Sequence, residues 1–256
     1  MQRVAKIALA LIIVLTITSC VSKKEIVYFQ NDEINQSLEN NNYKIIFKPN
    51  DLVQITVSAV DIEAVKPFNL PAVTYATTTN SVIGTPKQQS YLVDNEGYIE
   101  FPLLGKIKLG GLTRIEAISM LKGKLDPDYI KNPTINIKIS NFSITVLGDV
   151  KTPGKFIIPN ERVSVIDAIG LAGDLNISGI RNIEVKREEN NKVVTYNLDL
   201  RSNKVFTSPA YYLQQNDIVY VKPNKARSQS ASYNQNTGLY LSITSILITI
   251  ATLIAK

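Results

Sequence analysis

The chain has 256 residues, a formal net charge of +6 and no histidine, which removes Ser-His-Asp and Cys-His mechanisms and histidine metal sites at once. Its single cysteine, Cys20, excludes an intrachain disulfide. The mild basic excess, part of which lies in Arg3 and Lys6 near the N-terminus, is too small for a nucleic-acid surface.

Arg3 and Lys6 form a short basic region, and the apolar run from Ile7 to Ile17 behind them is too short for a spanning helix but suits a secretory signal. Ile17, Thr18, Ser19 and Cys20 then resemble a bacterial lipobox, in which small residues fit the processing peptidase and the cysteine carries a diacylglycerol thioether. The alternative is an ordinary signal with a chance cysteine. On the lipoprotein reading, residues 1–19 are the signal peptide, Cys20 is the lipidation site, and residues 20–42, Asn-rich from Asn31 to Asn42, are a tether to the first folded element.

Strand alternation follows from Gln54 to Val57. Pro67 to Gln89, with three prolines, three consecutive threonines and no charge besides Lys87, reads as a long inserted loop. A helix opens at Thr113 with Glu116 in capping-box position, placing Ile115, Ile118, Leu121 and Leu125 on its expected buried face. Alternation returns in Ile135 to Ile139 and Phe142 to Val146, and Leu147 to Gly154 makes a double turn in which Pro153 and Gly154 set the second bend. A second helix opens at Ser164, with Asp167 three residues on, and stops at Gly173. Strands follow at Ile183 to Lys186 and Val194 to Leu198. Each half is then a small sheet covered by one helix, an α+β class.

Residues 222–237, rich in Ser, Asn, Gln and Lys, read as a connection into the C-terminal run. That run, Leu239 to Lys256, holds no charge before its last residue, and as a helix it reaches about 27 Å at about 1.5 Å per residue, the length of a transmembrane helix in a thin bilayer. At 100° per residue, Gly238, Ser242, Ser245, Thr249, Thr252 and Lys256 share one sector of about 80°. A stripe of small hydroxyl residues serves either close packing between helices or the wetted lumen of a helical barrel.

Carboxylate chemistry is the enzymatic option that remains, through Asp94 with Glu96 or Asp126 with Asp128 as paired acids. Both pairs sit in turn sequences, which explains them without catalysis. Gly105, Gly110, Gly111, Gly170 and Gly173 match neither a P-loop nor a GxGxxG fingerprint and read as turns and helix ends. Tyr211 and Tyr212 fit an inter-strand packing pair as well as a stacking surface. The residues therefore indicate no enzyme, no cofactor and no metal site.

Seven segments taken together resemble a known family. DLVQITV from Asp51, VDNEGYIEFPLLG from Val93, GLT from Gly111 and NPTINI from Asn132 resemble the N-terminal domain of outer-membrane polysaccharide export lipoproteins. VLGDVKTPG from Val146, the helix ending DAIGLAG at Gly173, and DIVYVKP from Asp217 resemble the β-grasp module (SLBB) that follows it. The resemblance implies an export domain over 43–140, a β-grasp domain over 141–223, a linker over 224–238 and a transmembrane helix over 239–256. It further implies a homo-oligomeric ring in the outer membrane with its main domains in the periplasm. Capsular polysaccharide or exopolysaccharide would be the cargo, and an inner-membrane copolymerase or tyrosine kinase the partner. In that setting Cys20 carries the lipid and Ser242, Ser245, Thr249 and Thr252 line the channel. The chain departs from better-known members in having one β-grasp module rather than two and a less amphipathic terminal helix. A non-transporting scaffold lipoprotein that holds glycan or a periplasmic partner is the competing reading.

Overall fold

The computed structural model describes residues 23–30, 43–72, 87–189, 192–231 and 237–254. The first part runs β1 (Leu52–Ser58), α1 (Ile62–Val65), β2 (Pro71–Ala72), β3 (Lys87–Gln88), β4 (Ser90–Leu92), β5 (Tyr98–Phe101), β6 (Gly105–Lys108), α2 (Arg114–Leu125) and β7 (Thr134–Ile139). The second runs β8 (Ser143–Gly148), β9 (Gly154–Ile157), α3 (Val165–Leu171), β10 (Asn182–Glu189), β11 (Lys192–Asp199) and β12 (Ile218–Val221), followed by α4 (Lys225–Ala231) and α5 (Thr237–Ile254). The α+β class is what the strand and helix patterns indicate.

Alternation in β1 sends Val53, Ile55 and Val57 into the interior. Opposite them in the antiparallel partner β7 lie Ile139, Ile137 and Ile135, so three β-branched cross-strand pairs fix the register. A slip of one residue would turn all six side chains to the other face. β4 pairs on the other edge of β1, giving the order β4-β1-β7. Helix α2 packs on this sheet through Ala117, Leu121 and Leu125, each fully buried.

The expected stripe of α2 is corrected at its first member, because Ile115 is 81 % exposed. The buried line advances in steps of four from Ala117, where the small side chain allows the helix close to the strands. The capping box is present, with Thr113 Oγ1 accepting from the Glu116 amide and the Glu116 carboxylate accepting from the Thr113 amide at 2.7 Å.

The expected loop over 67–89 is also corrected. Phe68 is 2 % exposed and stacks on Phe101 at 6.0 Å. Asn69 exchanges hydrogen bonds with the backbone of Val57, and β2 pairs with β3. Gln88 then donates to the Ile55 carbonyl and accepts from Thr56. Burial of Phe68 and the hydrogen bonds of the half-buried Asn69 and Gln88 to β1 thus fix both ends of the segment; residues 73–86 lie outside the described residues.

The second sheet has the order β11-β10-β12-β8-β9, with β12 parallel to β8 and the other pairs antiparallel. Gly148 ends β8 at φ +96°, and a Cβ there would lie 1.9 Å from the Val221 carbonyl oxygen, so this close parallel approach requires glycine. A capping box starts α3, with the Asp167 carboxylate accepting from the Ser164 amide at 2.8 Å. Val165, Ala168 and Ile169 carry α3 onto the sheet.

Three expectations about the ends change. The tether over 20–42 is structured in part: Lys23–Glu25 forms a 3-10 turn, and residues to Gln30 dock on the second sheet. Within the expected linker, Asn224 caps α4 by accepting from the Arg227 amide, and the last helix starts at Thr237. Finally, among the described residues no helix is long and apolar enough to cross a membrane, which corrects the expectation of a transmembrane helix over 239–256. A helix does form there, but it opens on Thr237, Gly238 and Tyr240, and four hydroxyl residues from Ser242 to Thr249 interrupt its apolar surface. Residues 255–256 lie outside the described residues.

Candidate functional site

Cys20, the expected lipidation site, lies outside the described residues. The candidate channel-lining residues lie on α5. Ser242 Oγ donates to the Gly238 carbonyl at 2.9 Å, Ser245 Oγ to Ser242 at 2.8 Å, and Thr249 Oγ1 to Ser245 at 2.8 Å. Off this stripe, Thr244 does the same to Tyr240. Thr252 belongs to the helix, and its side chain lies outside the described residues.

Such back-bonding satisfies each hydroxyl donor within the helix, so the stripe can enter an apolar contact without stranding a proton donor. The oxygens keep lone pairs, which makes the stripe a row of weak acceptors. Around it, Leu239, Ile243, Ile246, Leu247, Ile248 and Ile250 are 45 to 65 % exposed. The helix therefore presents more apolar surface than a free surface helix sustains in water.

A second region of dense contacts escaped sequence reasoning. The segment 23–30 clasps the β10–β11 side of the second sheet. Its backbone amides at Phe29 and Gln30 donate to the carbonyls of Leu200 and Arg201 at 3.1 and 2.7 Å. Tyr28 donates to Asp174 Oδ1 at 2.7 Å, and burial together with that carboxylate pushes the phenol up to about 12. Arg181, 5 % exposed, donates to the Ile26 carbonyl and lies over the Tyr28 ring at 5.6 Å. Phe29 stacks on Phe206 at 5.2 Å. The available signal was an aromatic pair, Tyr28 and Phe29, just ahead of a polar tract.

A seam joins the two sheets. Tyr43 donates to the Glu161 carbonyl at 3.0 Å, and Lys48 Nζ donates to Gln214 Oε1 at 3.0 Å and to the Glu188 carbonyl at 3.3 Å. The buried Glu161 carboxylate pairs with Arg114 and accepts from the Ile139 amide. Arg162 lies over the rings of Tyr212 and Tyr43, at 4.8 and 5.5 Å, and donates to Tyr212 Oη at 2.5 Å. Tyr212 packs edge-on against Tyr43 at 5.4 Å, so it serves the seam as well as its neighbour Tyr211. Beneath it, burial pushes the Asp51 carboxyl up to about 6 and the Lys48 ammonium down.

Of the carboxylates that offered glycosidase chemistry, Asp94 has structural partners for its side chain. Asp94 Oδ1 accepts from the amides of Glu96 and Tyr98 at 2.9 and 2.8 Å, an Asx turn. Asp126 caps the C-terminus of α2 and precedes a cis peptide to Pro127. Among the described residues no cluster of Cys, Asp and Glu side chains is arranged to hold a metal ion.

Residues 39–140, which span the first sheet and α2, match the family described as polysaccharide biosynthesis/export protein. That part of the chain is similar to this family. Two relatives are named EPS I polysaccharide export outer membrane protein EpsA. The protein from Ralstonia solanacearum is 25 % identical over 177 residues, which is 64 % of this chain and 47 % of the relative. That from Ralstonia nicotianae is 24 % identical over 174 residues, 63 % of this chain and 45 % of the relative. The chain thus spans about half the length of the curated relatives it matches.

Proposed function

We propose that the chain is a subunit of a homo-oligomeric conduit that passes capsular polysaccharide or exopolysaccharide across the outer membrane. The match of residues 39–140 to the export family carries this reading, and the relatives' names as outer membrane export proteins support it. Residues 141–223 act in it as a β-grasp ligand-binding module. Cys20 anchors each subunit by lipid, the two sheet domains stand in the periplasm, and an inner-membrane copolymerase or tyrosine kinase delivers the chain of sugars.

Helix α5 is the segment through which subunits meet. Its exposed Leu and Ile surface needs cover, and copies of the helix bring it, with Ser242, Ser245, Thr249 and Thr252 turned to the shared interior. A hydrated sugar chain slides best past many weak, exchangeable acceptors and no deep site. Hydroxyls already bonded to their own helix suit that requirement. The family is one of export proteins, so no reaction is assigned to this chain.

A non-transporting scaffold lipoprotein that holds glycan or a periplasmic partner is the competing reading. Electron microscopy of the detergent-extracted full chain separates the readings. The conduit requires closed rings; a uniform population of monomers would remove it.

A further inference from the structure

Between the docked N-terminal segment and the end of β11 lies an open basin of about 400 Å³, lined by Lys24, Glu25, Gln30, Asp199, Arg201 and Ser202. We propose that this basin is a binding site for a neutral, hydroxyl-rich oligosaccharide segment. The proposal rests on the polysaccharide-export reading and names a contact point for the cargo away from α5.

Every lining side chain is polar, and the volume falls within the range of small-ligand sites, roughly 300 to 1,000 Å³. The charges cancel within the basin. Arg201 donates through Nε and Nη2 to the two oxygens of Asp199 at 2.9 and 3.0 Å, and through Nη1 to Glu25 Oε2 at 2.5 Å. Lys24 adds a second cation to the lining, matching the two carboxylates in number. No net charge is left to attract an anionic ligand, and a guanidinium held on three sides is a fixed wall rather than a mobile arm.

The hydrogen-bonding capacity that remains is mostly acceptor. Gln30 Nε2 donates to the carbonyls of Lys24 and Val27, both at 2.6 Å, so its amide protons are committed to the segment's own backbone. The carboxylates of Asp199 and Glu25 retain lone pairs beyond those used by Arg201. Sugar hydroxyls supply donors in closely spaced sets, and the Lys24 ammonium answers their oxygens.

The same two chain segments carry an apolar platform. Phe29, next to Gln30, is 36 % exposed and stacks on Phe206. It sits at φ +52°, a conformation that costs a non-glycine residue energy and is held here by the Phe29 and Gln30 amide bonds to β11's end. Aliphatic C–H faces of a pyranose suit such a ring. Because one wall belongs to segment 23–30, the site exists only while that segment is docked, so ligand binding and docking reinforce each other.

The test is saturation-transfer difference NMR on the full chain in detergent, with maltohexaose and cellohexaose as neutral probes and a hyaluronan hexasaccharide as the acidic one. A neutral probe is expected to bind with an affinity that half-molar salt leaves unchanged. Arg201→Ala removes the fixed wall and is expected to weaken binding about tenfold; Lys24→Ala leaves the Arg201 clasp intact and weakens it about threefold. Lack of binding by both neutral probes, equal binding by both variants, or binding of the acidic probe alone that salt abolishes would each overturn the proposal. If polysaccharide export still stops when the protein is deleted from cells, that failure leaves the export reading standing.

Discussion

Tyr28 and Asp174 stand 146 positions apart in the chain and share a 2.7 Å hydrogen bond, with the phenol as donor. The bond ties the segment that follows Cys20 to the loop behind α3. In the export reading, the second sheet rather than the first is held closest to the lipid anchor.

Replacing Tyr28 with Phe keeps the ring against Arg181 and removes only that bond. The docked segment is expected to lose about 1 kcal/mol. Hydrogen exchange at Phe29 and Gln30 should speed up roughly fivefold, while amides in β10 and β12 stay unchanged.

Arg187 and Asp217 are 3 % and 1 % exposed and form a bidentate pair between β10 and the start of β12. Asp217→Ala strands a buried guanidinium and is expected to cost about 3 to 5 kcal/mol. Removing both charges together, as Arg187→Met with Asp217→Leu, is expected to cost less than the single change. Urea unfolding of the three proteins checks the order.

Asp51 is buried with its carboxyl pushed up to about 6, above the unfolded value of 3.8. A raised folded value means that the protonated form favours the fold, so this contribution is complete below pH 3.8 and disappears as pH rises through 6. Asp51→Asn should therefore gain stability relative to the parent protein between pH 4 and 6 and hold a constant difference above. The change across that window is roughly 3 kcal/mol, read from melting at half-unit pH steps.

Single cysteines on α5 in a background with Cys20 replaced test which side of the helix meets water. In the conduit, Ser245→Cys and Thr249→Cys react faster with a small aqueous thiol reagent than Ile248→Cys. Equal rates would remove the hydroxyl stripe from the channel. Deleting residues 237–254 is expected to end export in a conduit, while a scaffold would keep part of its function.

The capping boxes at Thr113 and Ser164 and the alternation of β1 and β7 were legible because each is a local pattern of donors, acceptors and apolar side chains. Ile115 was misjudged because helix periodicity specifies a stripe but not where the sheet lies beneath it. The family resemblance drew on segments that keep their order along the chain, and residues 39–140 match that family.

The chain by itself determined the absence of histidine chemistry, the single cysteine, the two capped helices and the apolar C-terminal segment. Only the tertiary structure decided that Tyr28 and Phe29 fold back onto a sheet more than 140 residues away, that Arg201 joins Glu25 to Asp199, and that Lys48 reaches Gln214 across the seam. Local patterns act through neighbours a few residues apart. These contacts form only after two sheets have packed, when desolvation makes each polar group's choice of partner costly to leave unmade.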